Sequence, residues 1–120
     1  MQPFSDEQTI VLDNAVRRIT DILAIDEFLV AQILGFDDDA RIAYLNGQTS
    51  IDGSNKIMVG AALQIIELYT LLETMLNDDE SVRKWLNADN VALASRPIEL
   101  ITTPEGLNDL LTYARTTVHG

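Results

Sequence analysis

The sequence has no cysteine and a single histidine, His119. Without cysteine, neither a disulfide framework nor a thiolate metal site can hold the fold, so packing of the hydrophobic residues, 47% of the chain, must do so. A lone histidine also argues against a serine hydrolase, whose nucleophile needs a base beside it. We therefore predict that the chain is not an enzyme.

Basic residues are scarce as well. Eight lysines and arginines face 19 aspartates and glutamates, a formal net charge of −11, which repels nucleic-acid phosphates and anionic lipids. The six glycines are scattered and form no phosphate-binding loop. The aspartates at 37–39 and the Asp52-Gly53 pair lack the spacing of a calcium loop. We expect no cofactor and no metal, and a basic protein surface is the natural partner.

Long apolar runs are also missing. The longest uncharged apolar stretch, residues 57–66, is shorter than the roughly 20 residues that a membrane helix needs. Residues 1–8 lack the basic and apolar regions of a signal peptide. We therefore predict a cytoplasmic protein without a membrane segment.

What the sequence does contain is helical periodicity, bounded by capping residues and turn signals, with no strand-like alternation. The patterns predict an all-α fold with loops at 48–55 and 87–95. The predicted helices are 6–24 (capping box Ser5 and Gln8), 26–34 ended by Gly35, 37–46, 56–76, one from Asp78 or Asp79 through Leu86, 98–101 after Pro97, and one from Pro104 to near His119.

The helix at 56–76 is the strongest of these signals, because apolar residues occupy most of its circumference. Ile57, Leu68 and Leu72 belong to one side, and Met58 and Ile65 extend that surface. Such a helix must be buried widely, by the rest of the chain or by a second copy of it. We therefore expect a homodimer.

The stretch 26–47 has the spacing of a helix-turn-helix, with a small residue at Ala31 and a turn at Gly35. We assign residues 1–53 to a helix-turn-helix-like N-terminal part and residues 54–120 to a central helix plus a C-terminal domain. The second helix opens with three aspartates, and Arg41 is its only cationic donor for DNA. Residues 1–52 hold ten acidic and three basic side chains, so we expect DNA binding to be poor.

The C-terminal part, from Lys84 onwards, has a distinctive order of residues: Trp85-Leu86, Asn90, Leu93, Arg96-Pro97, Glu99-Leu100, Gly106, Leu110 and Gly120. In this order and spacing it resembles the toxin-binding domain of the Xre/MbcA/ParS antitoxin family, and the upstream half looks like the Xre-type helix-turn-helix of that family. The sequence departs from the family pattern at Ala94-Ser95, where glycines are usual, and in the acidic second helix.

Antitoxins of this family accompany RES-domain toxins that act on NAD, and many of them dimerise. The resemblance implies a type II antitoxin that fills the active-site cleft of such a toxin. An acidic protein complements an electropositive NAD pocket, and the last helix with its terminal carboxylate is a candidate anchor. The predicted toxin-binding residues are Trp85, Asn90, Leu93, Arg96, Pro97, Glu99, Tyr113, Arg115, His119 and Gly120.

Each of these residues also has a purely structural explanation. Trp85, Leu93 and Pro97 can serve only to build the fold. The charged residues, Arg96, Glu99, Arg115 and His119, can be solvated surface positions or local capping pairs. For the whole chain, the alternative function is an interaction or regulatory adaptor of the same fold without direct DNA binding.

Overall fold

A computed structural model of the chain describes residues 5–119 and shows only helices as regular secondary structure in that range. The one β-type contact there is an isolated bridge between Asn90 and Ser95. The predicted all-α fold is confirmed. The helices are α1 Asp6–Ile22, α2 Glu27–Leu34, α3 Asp38–Leu45, α4 Lys56–Leu76, α5 Asp79–Asn87, α6 Pro97–Leu100 and α7 Pro104–His119.

The helices begin at the predicted caps. The Ser5 hydroxyl accepts from the Gln8 amide at 3.2 Å, and the Gln8 side chain accepts from the Ser5 amide at 2.9 Å. This capping box satisfies two amides that the first turn of α1 leaves without helical partners. Side-chain oxygens of Asp26, Asp37, Asp78 and Thr103 cap α2, α3, α5 and α7.

Several residues outside the helices have a left-handed backbone conformation. Gly35, at φ +96°, ends α2 as predicted. Ala24 (φ +54°), Asn77 (φ +74°) and Ala94 (φ +58°) are the described non-glycine residues with this backbone conformation. An alanine there costs about 1–2 kcal/mol because its Cβ crowds the following carbonyl, and the sequence did not predict either alanine in this role.

The chain divides into two compact units, Met1–Ile66 and Glu67–Gly120, and the division falls inside α4. The boundary that we predicted between residues 53 and 54 stays a prediction. The two units are described separately below.

A buried polar network joins the elements of the first unit. Asp13, 6% exposed, accepts from Arg17 Nε at 2.7 Å and from the Ile51 amide at 3.0 Å. Arg17 also donates to the carbonyl oxygens of Tyr44 (2.9 Å) and Thr49 (3.0 Å), and its guanidinium lies 3.8 Å from the centroid of the Tyr44 ring. One carboxylate and one guanidinium thereby tie α1 to the end of α3 and to the loop that follows it.

In this same unit α2 and α3 pack together across the turn at Gly35. Ala31 is fully buried, as a position of close helix crossing requires. Phe36 stacks on Tyr44 with ring centroids 4.9 Å apart. The helix pair predicted from this spacing is therefore present. Its assignment as a helix-turn-helix and the expectation that it binds DNA poorly stay predictions.

The second unit has a core built from the end of α4 and from α5, α6 and α7. Gly106, in the first turn of α7, lies against the backbone of Leu100, where an added Cβ would overlap the carbonyl oxygen. The apolar face predicted for α7 is buried. The buried apolar residues are Leu68, Leu71, Leu72, Val82, Leu86, Ile101, Leu107, Leu110, Leu111 and Ala114.

The prediction for α4 needs two corrections. Ile57, assigned to the buried side, is 82% exposed, whereas its neighbours Met58 and Val59 in the same first turn are buried. The bounds of α4 agree with the predicted 56–76, but the uncharged run 57–66 was too narrow a measure for a membrane segment: at 21 residues α4 is the one described helix long and apolar enough to cross a membrane. Core helices of soluble proteins have the same length and composition, and 39% of the most apolar part of α4 is buried inside the molecule.

Candidate functional site

Two of the predicted toxin-binding residues form an aromatic pair in the second unit. Trp85 on α5 and Tyr113 on α7 stack with ring centroids 6.1 Å apart and an interplanar angle of 19°. Both side chains are half-buried, so each ring contributes to the core and keeps part of its surface in solvent. An aromatic pair of this kind is suited to contact a partner, because it combines large apolar area with few rotatable bonds.

The predicted loop between α5 and α6 is a closed turn. The Asn90 amide donates to the Ser95 carbonyl at 3.2 Å, and the Asn90 side-chain oxygen accepts from the Leu93 amide, also at 3.2 Å. The Ala94 amide donates to the Val91 carbonyl at 3.2 Å. The backbone of Ala94 is left-handed, at φ +58°, a conformation that glycine adopts without strain. Asn90 and Leu93 thus lie together in one ordered loop.

The next three predicted residues lie at the start of α6. Pro97 is buried at the beginning of the helix, as predicted. Arg96 donates to one Glu99 oxygen from Nε at 3.2 Å and from Nη2 at 2.8 Å, and this hydrogen bonding raises the pKa of Arg96. Arg96 and Glu99 therefore form the local pair that the structural explanation proposed, and their charges largely cancel.

Arg115 makes a second ion pair, with a residue that the sequence did not predict. Its Nε and Nη2 donate to the two carboxylate oxygens of Glu67 at 2.8 and 2.7 Å. These hydrogen bonds lower the pKa of Glu67, and the charges of Arg115 and His119 lower it further. The two residues are 48 positions apart, and the only sequence signal was an acid interrupting an apolar helix.

The predicted anchor on α7 is divided between two faces. Tyr113 and Arg115 are two residues apart, which separates them by about 200° around the helix axis. Tyr113 stacks on Trp85, whereas Arg115 and His119 lie on the side of Glu67. Gly120 lies outside the described residues, so the role of the terminal carboxylate stays a prediction.

A second acidic group, also not predicted, lies where α4 meets α5. The Tyr69 hydroxyl donates to Asp79 at 3.0 Å. Hydrogen bonding to Glu73 and Asp79, together with burial, raises the pKa of Tyr69 to about 12. The pKa of Glu73 is raised, first by its hydrogen bond with Asp79. The corner therefore carries two interacting carboxyl groups.

The second unit is acidic as a whole, with nine acidic residues against four basic ones. This excess makes the unit complementary to an electropositive surface. The acidic residues are Glu67, Glu73, Asp78, Asp79, Glu80, Asp89, Glu99, Glu105 and Asp109, and the basic ones are Arg83, Lys84, Arg96 and Arg115.

In the first unit, the cation proposed as a DNA donor is engaged within the protein. Arg41 Nε donates to the Phe36 carbonyl at 2.9 Å, and Nη1 pairs with Asp38 at 3.0 Å. The guanidinium also lies 5.4 Å from the centroid of the Phe28 ring. Asp38 and Asp39 are exposed on the same helix. This surface presents negative charge to a DNA backbone.

Among residues 5–119, no three His, Asp or Glu side chains are grouped so as to hold a metal ion. The contacts described above are ring stacking, ion pairs and turn hydrogen bonds, an arrangement that suits recognition of another macromolecule.

Comparison with known proteins assigns this region. Residues 71–113 match the family described as the antitoxin Xre/MbcA/ParS C-terminal toxin-binding domain, while a search of curated proteins finds no match to the chain. The match includes Trp85, the loop at 90–95, α6 and Tyr113, and Arg115 and His119 lie beyond it. The resemblance predicted from the residues is confirmed for this segment: residues 71–113 match the toxin-binding domain of the Xre/MbcA/ParS antitoxins.

Proposed function

We propose that the chain is the antitoxin of a type II toxin–antitoxin pair, which binds a RES-domain, NAD-consuming toxin and occludes its active site. The observation that carries this proposal is the match of residues 71–113 to an antitoxin toxin-binding domain. In this proposal the chain acts by binding, catalyses nothing itself, and works in the cytoplasm beside its toxin.

The charge of the second unit supports a toxin that binds NAD. A pocket that holds the pyrophosphate of NAD must be electropositive, and nine acidic residues against four basic ones make this unit its complement. Long-range attraction of this kind speeds association more than it strengthens the final complex. In this proposal, direct contacts with the toxin give the complex its affinity, and the negative charge of the second unit speeds its formation.

Trp85 and Tyr113 are the proposed aromatic contact with the toxin. Their stacked rings are half-buried, and residues that carry most of the binding energy in protein interfaces are enriched in tryptophan and tyrosine. The face of α7 that bears Arg115 and His119 is the proposed route by which the C-terminal end approaches the cleft. Arg115 is held on that face by Glu67.

We also infer a homodimer, formed through the first unit. A groove of about 420 Å³ runs between α1 and α4 and is lined mainly by apolar side chains. Val11 is 68% exposed and Leu63 is 45% exposed at this groove. A second copy of the chain would bury both, because a twofold axis places identical apolar surfaces against each other. Val11→Asp should give a monomer in light scattering, whereas Ile57→Asp, outside the groove, should stay dimeric.

The alternative is an interaction or regulatory adaptor of the same fold that binds no DNA directly. The engaged Arg41 and the exposed aspartates of α3 favour it over a DNA-binding repressor. The two proposals differ in the partner: the adaptor would recover a basic protein unrelated to a toxin.

Co-expression tests the main proposal. The reading frame adjacent to this one, expressed alone, should arrest growth, and co-expression with this chain should restore growth and yield a stable complex on purification. A matched experiment with a Trp85→Ala, Tyr113→Ala double variant should restore growth less well. A harmless neighbour that never co-purifies with the chain would contradict the proposal.

A further inference from the structure

One apolar side chain of the second unit stands entirely in solvent. Val91, in the loop between α5 and α6, is 99% exposed. Among the large hydrophobic residues exposed in the described range, it is the only one that follows residue 66. The others are Ile10, Val11, Phe28, Ile42, Ile57 and Leu63.

The loop that carries Val91 is fixed at both ends. Hydrogen bonds join the Asn90 amide to the Ser95 carbonyl and the Ala94 amide to the Val91 carbonyl, each at 3.2 Å. The Asn90 side chain adds a third bond to the Leu93 amide. A loop already held in one conformation loses little entropy when a partner binds it. Val91 is therefore presented on a preformed turn.

A single exposed aliphatic residue is common on protein surfaces and needs no explanation. Here three further observations coincide with it. Residues 91–94 form an uncharged run, Val-Ala-Leu-Ala, within an acidic unit. Ala92 and Ala94 are also exposed, and Leu93 is half-buried. The turn retains the strain of a left-handed alanine at Ala94, and strain of this kind concentrates at functional sites.

We propose that residues 90–95, here termed the Val91 loop, form an apolar knob that inserts into an apolar depression on the toxin, with Val91 as its central anchor. The inference rests on the proposed antitoxin function. The occupant is the toxin because the loop lies inside residues 71–113, the segment matched to a toxin-binding domain. Val91 thereby adds a non-ionic contact to the aromatic pair of Trp85 and Tyr113.

The contribution of Val91 to binding follows from its exposure in the free chain. Val91 buries nothing in the free chain, so its apolar area is available to the complex. An aspartate in its place would carry an unpaired charge into an apolar depression, which is far more costly than losing the methyl groups. Replacement should therefore weaken the complex without destabilising the free protein.

The test measures the dissociation constant between the full chain and the toxin encoded beside it, by calorimetry, for the wild type and four variants. Val91→Asp should raise the constant about 100-fold or more, and Val91→Ala and the isosteric Val91→Thr about 5- to 10-fold. Ile57→Asp, which places the same charge at an exposed position before the matched segment, should change it less than about twofold. Thermal unfolding of all five proteins should coincide within a few degrees.

Two outcomes separate this inference from the function on which it rests. If the wild type binds the toxin and Val91→Asp, Val91→Ala and Val91→Thr bind equally well, the Val91 loop is not an anchor, while the antitoxin function stands. If the wild type itself does not bind the toxin, both proposals are overturned.

Discussion

Gly106 lies so close to the carbonyl oxygen of Leu100 that a side chain of any size at this position would overlap it. This contact sets the distance between α6 and the first turn of α7. It therefore shapes the part of the second unit that carries the Arg96–Glu99 pair and leads into Tyr113.

Gly106→Ala should destabilise the chain by roughly 2–3 kcal/mol, because its Cβ meets backbone atoms that cannot rotate away. Chemical denaturation followed by circular dichroism measures the change. Gly60→Ala is the matched control: it lies inside α4 with no atom within 4 Å of the added Cβ. There the substitution should stabilise the helix by about 0.5–1 kcal/mol. Equal effects of the two substitutions would contradict this account of Gly106.

Ala94→Gly should stabilise the free chain by about 1 kcal/mol, since it removes the left-handed strain at φ +58°. Ala92→Gly, in the same loop but without a positive φ, should instead be neutral or slightly destabilising. The midpoint of urea unfolding distinguishes them. A loss of stability in Ala94→Gly would show that the alanine side chain makes a contact that outweighs its strain.

Most of the fold could be predicted from the sequence. Ser5, Asp26, Asp37 and Thr103 cap the helices as their chemistry requires, and Gly35 turns the chain as predicted. These features are local, since each depends on residues within four positions of one another. Periodicity likewise located the buried face of α7.

The long-range pairs could not be predicted. Glu67 meets Arg115 across 48 residues, and Asp13 meets the amide of Ile51 across 38. The helical periodicity of the sequence does not predict such contacts, because they depend on how separate helices are placed. The grouping of Tyr113 with Arg115 on one anchor was an error of a different kind, because two residues apart on a helix lie on different faces of it. The exposure of Val91 was not predicted, because it depends on how the loop between α5 and α6 folds.

Asp13→Ala should destabilise the first unit by roughly 2–4 kcal/mol. It removes the acceptor of Arg17 Nε and leaves the buried Ile51 amide without its partner. Asp21→Ala, at an exposed position on the same helix, should change stability by less than about 0.5 kcal/mol. Thermal unfolding of the two variants gives the comparison, and similar melting temperatures would exclude a structural role for the buried carboxylate.

Two glutamates should affect acid stability with opposite signs. The pKa of Glu67 is lowered from 4.5 by Arg115, so its ionised form stabilises the fold above that value, and the contribution disappears as pH falls through the folded pKa. Glu67→Gln should therefore lower the melting temperature at neutral pH and have little effect in strong acid.

Glu73 provides the contrasting control. Its pKa is raised beside Asp79, so its ionised form destabilises the fold, and Glu73→Gln should raise the melting temperature at neutral pH but not below the ordinary pKa. Both shifts should be small because the groups are only partly buried. Melting temperatures between pH 3 and 8 test the pair, and shifts of the same sign would contradict the assignment.

In the function that we propose, this chain silences a toxin by covering its active site with residues 71–113 and the end of α7. The most direct measurement is the rate of NAD consumption by the purified toxin as the chain is titrated into it. The account predicts a linear fall to the background rate, complete when every toxin active site is matched by one chain. A saturated complex in which the toxin still consumes NAD at its free rate would contradict it.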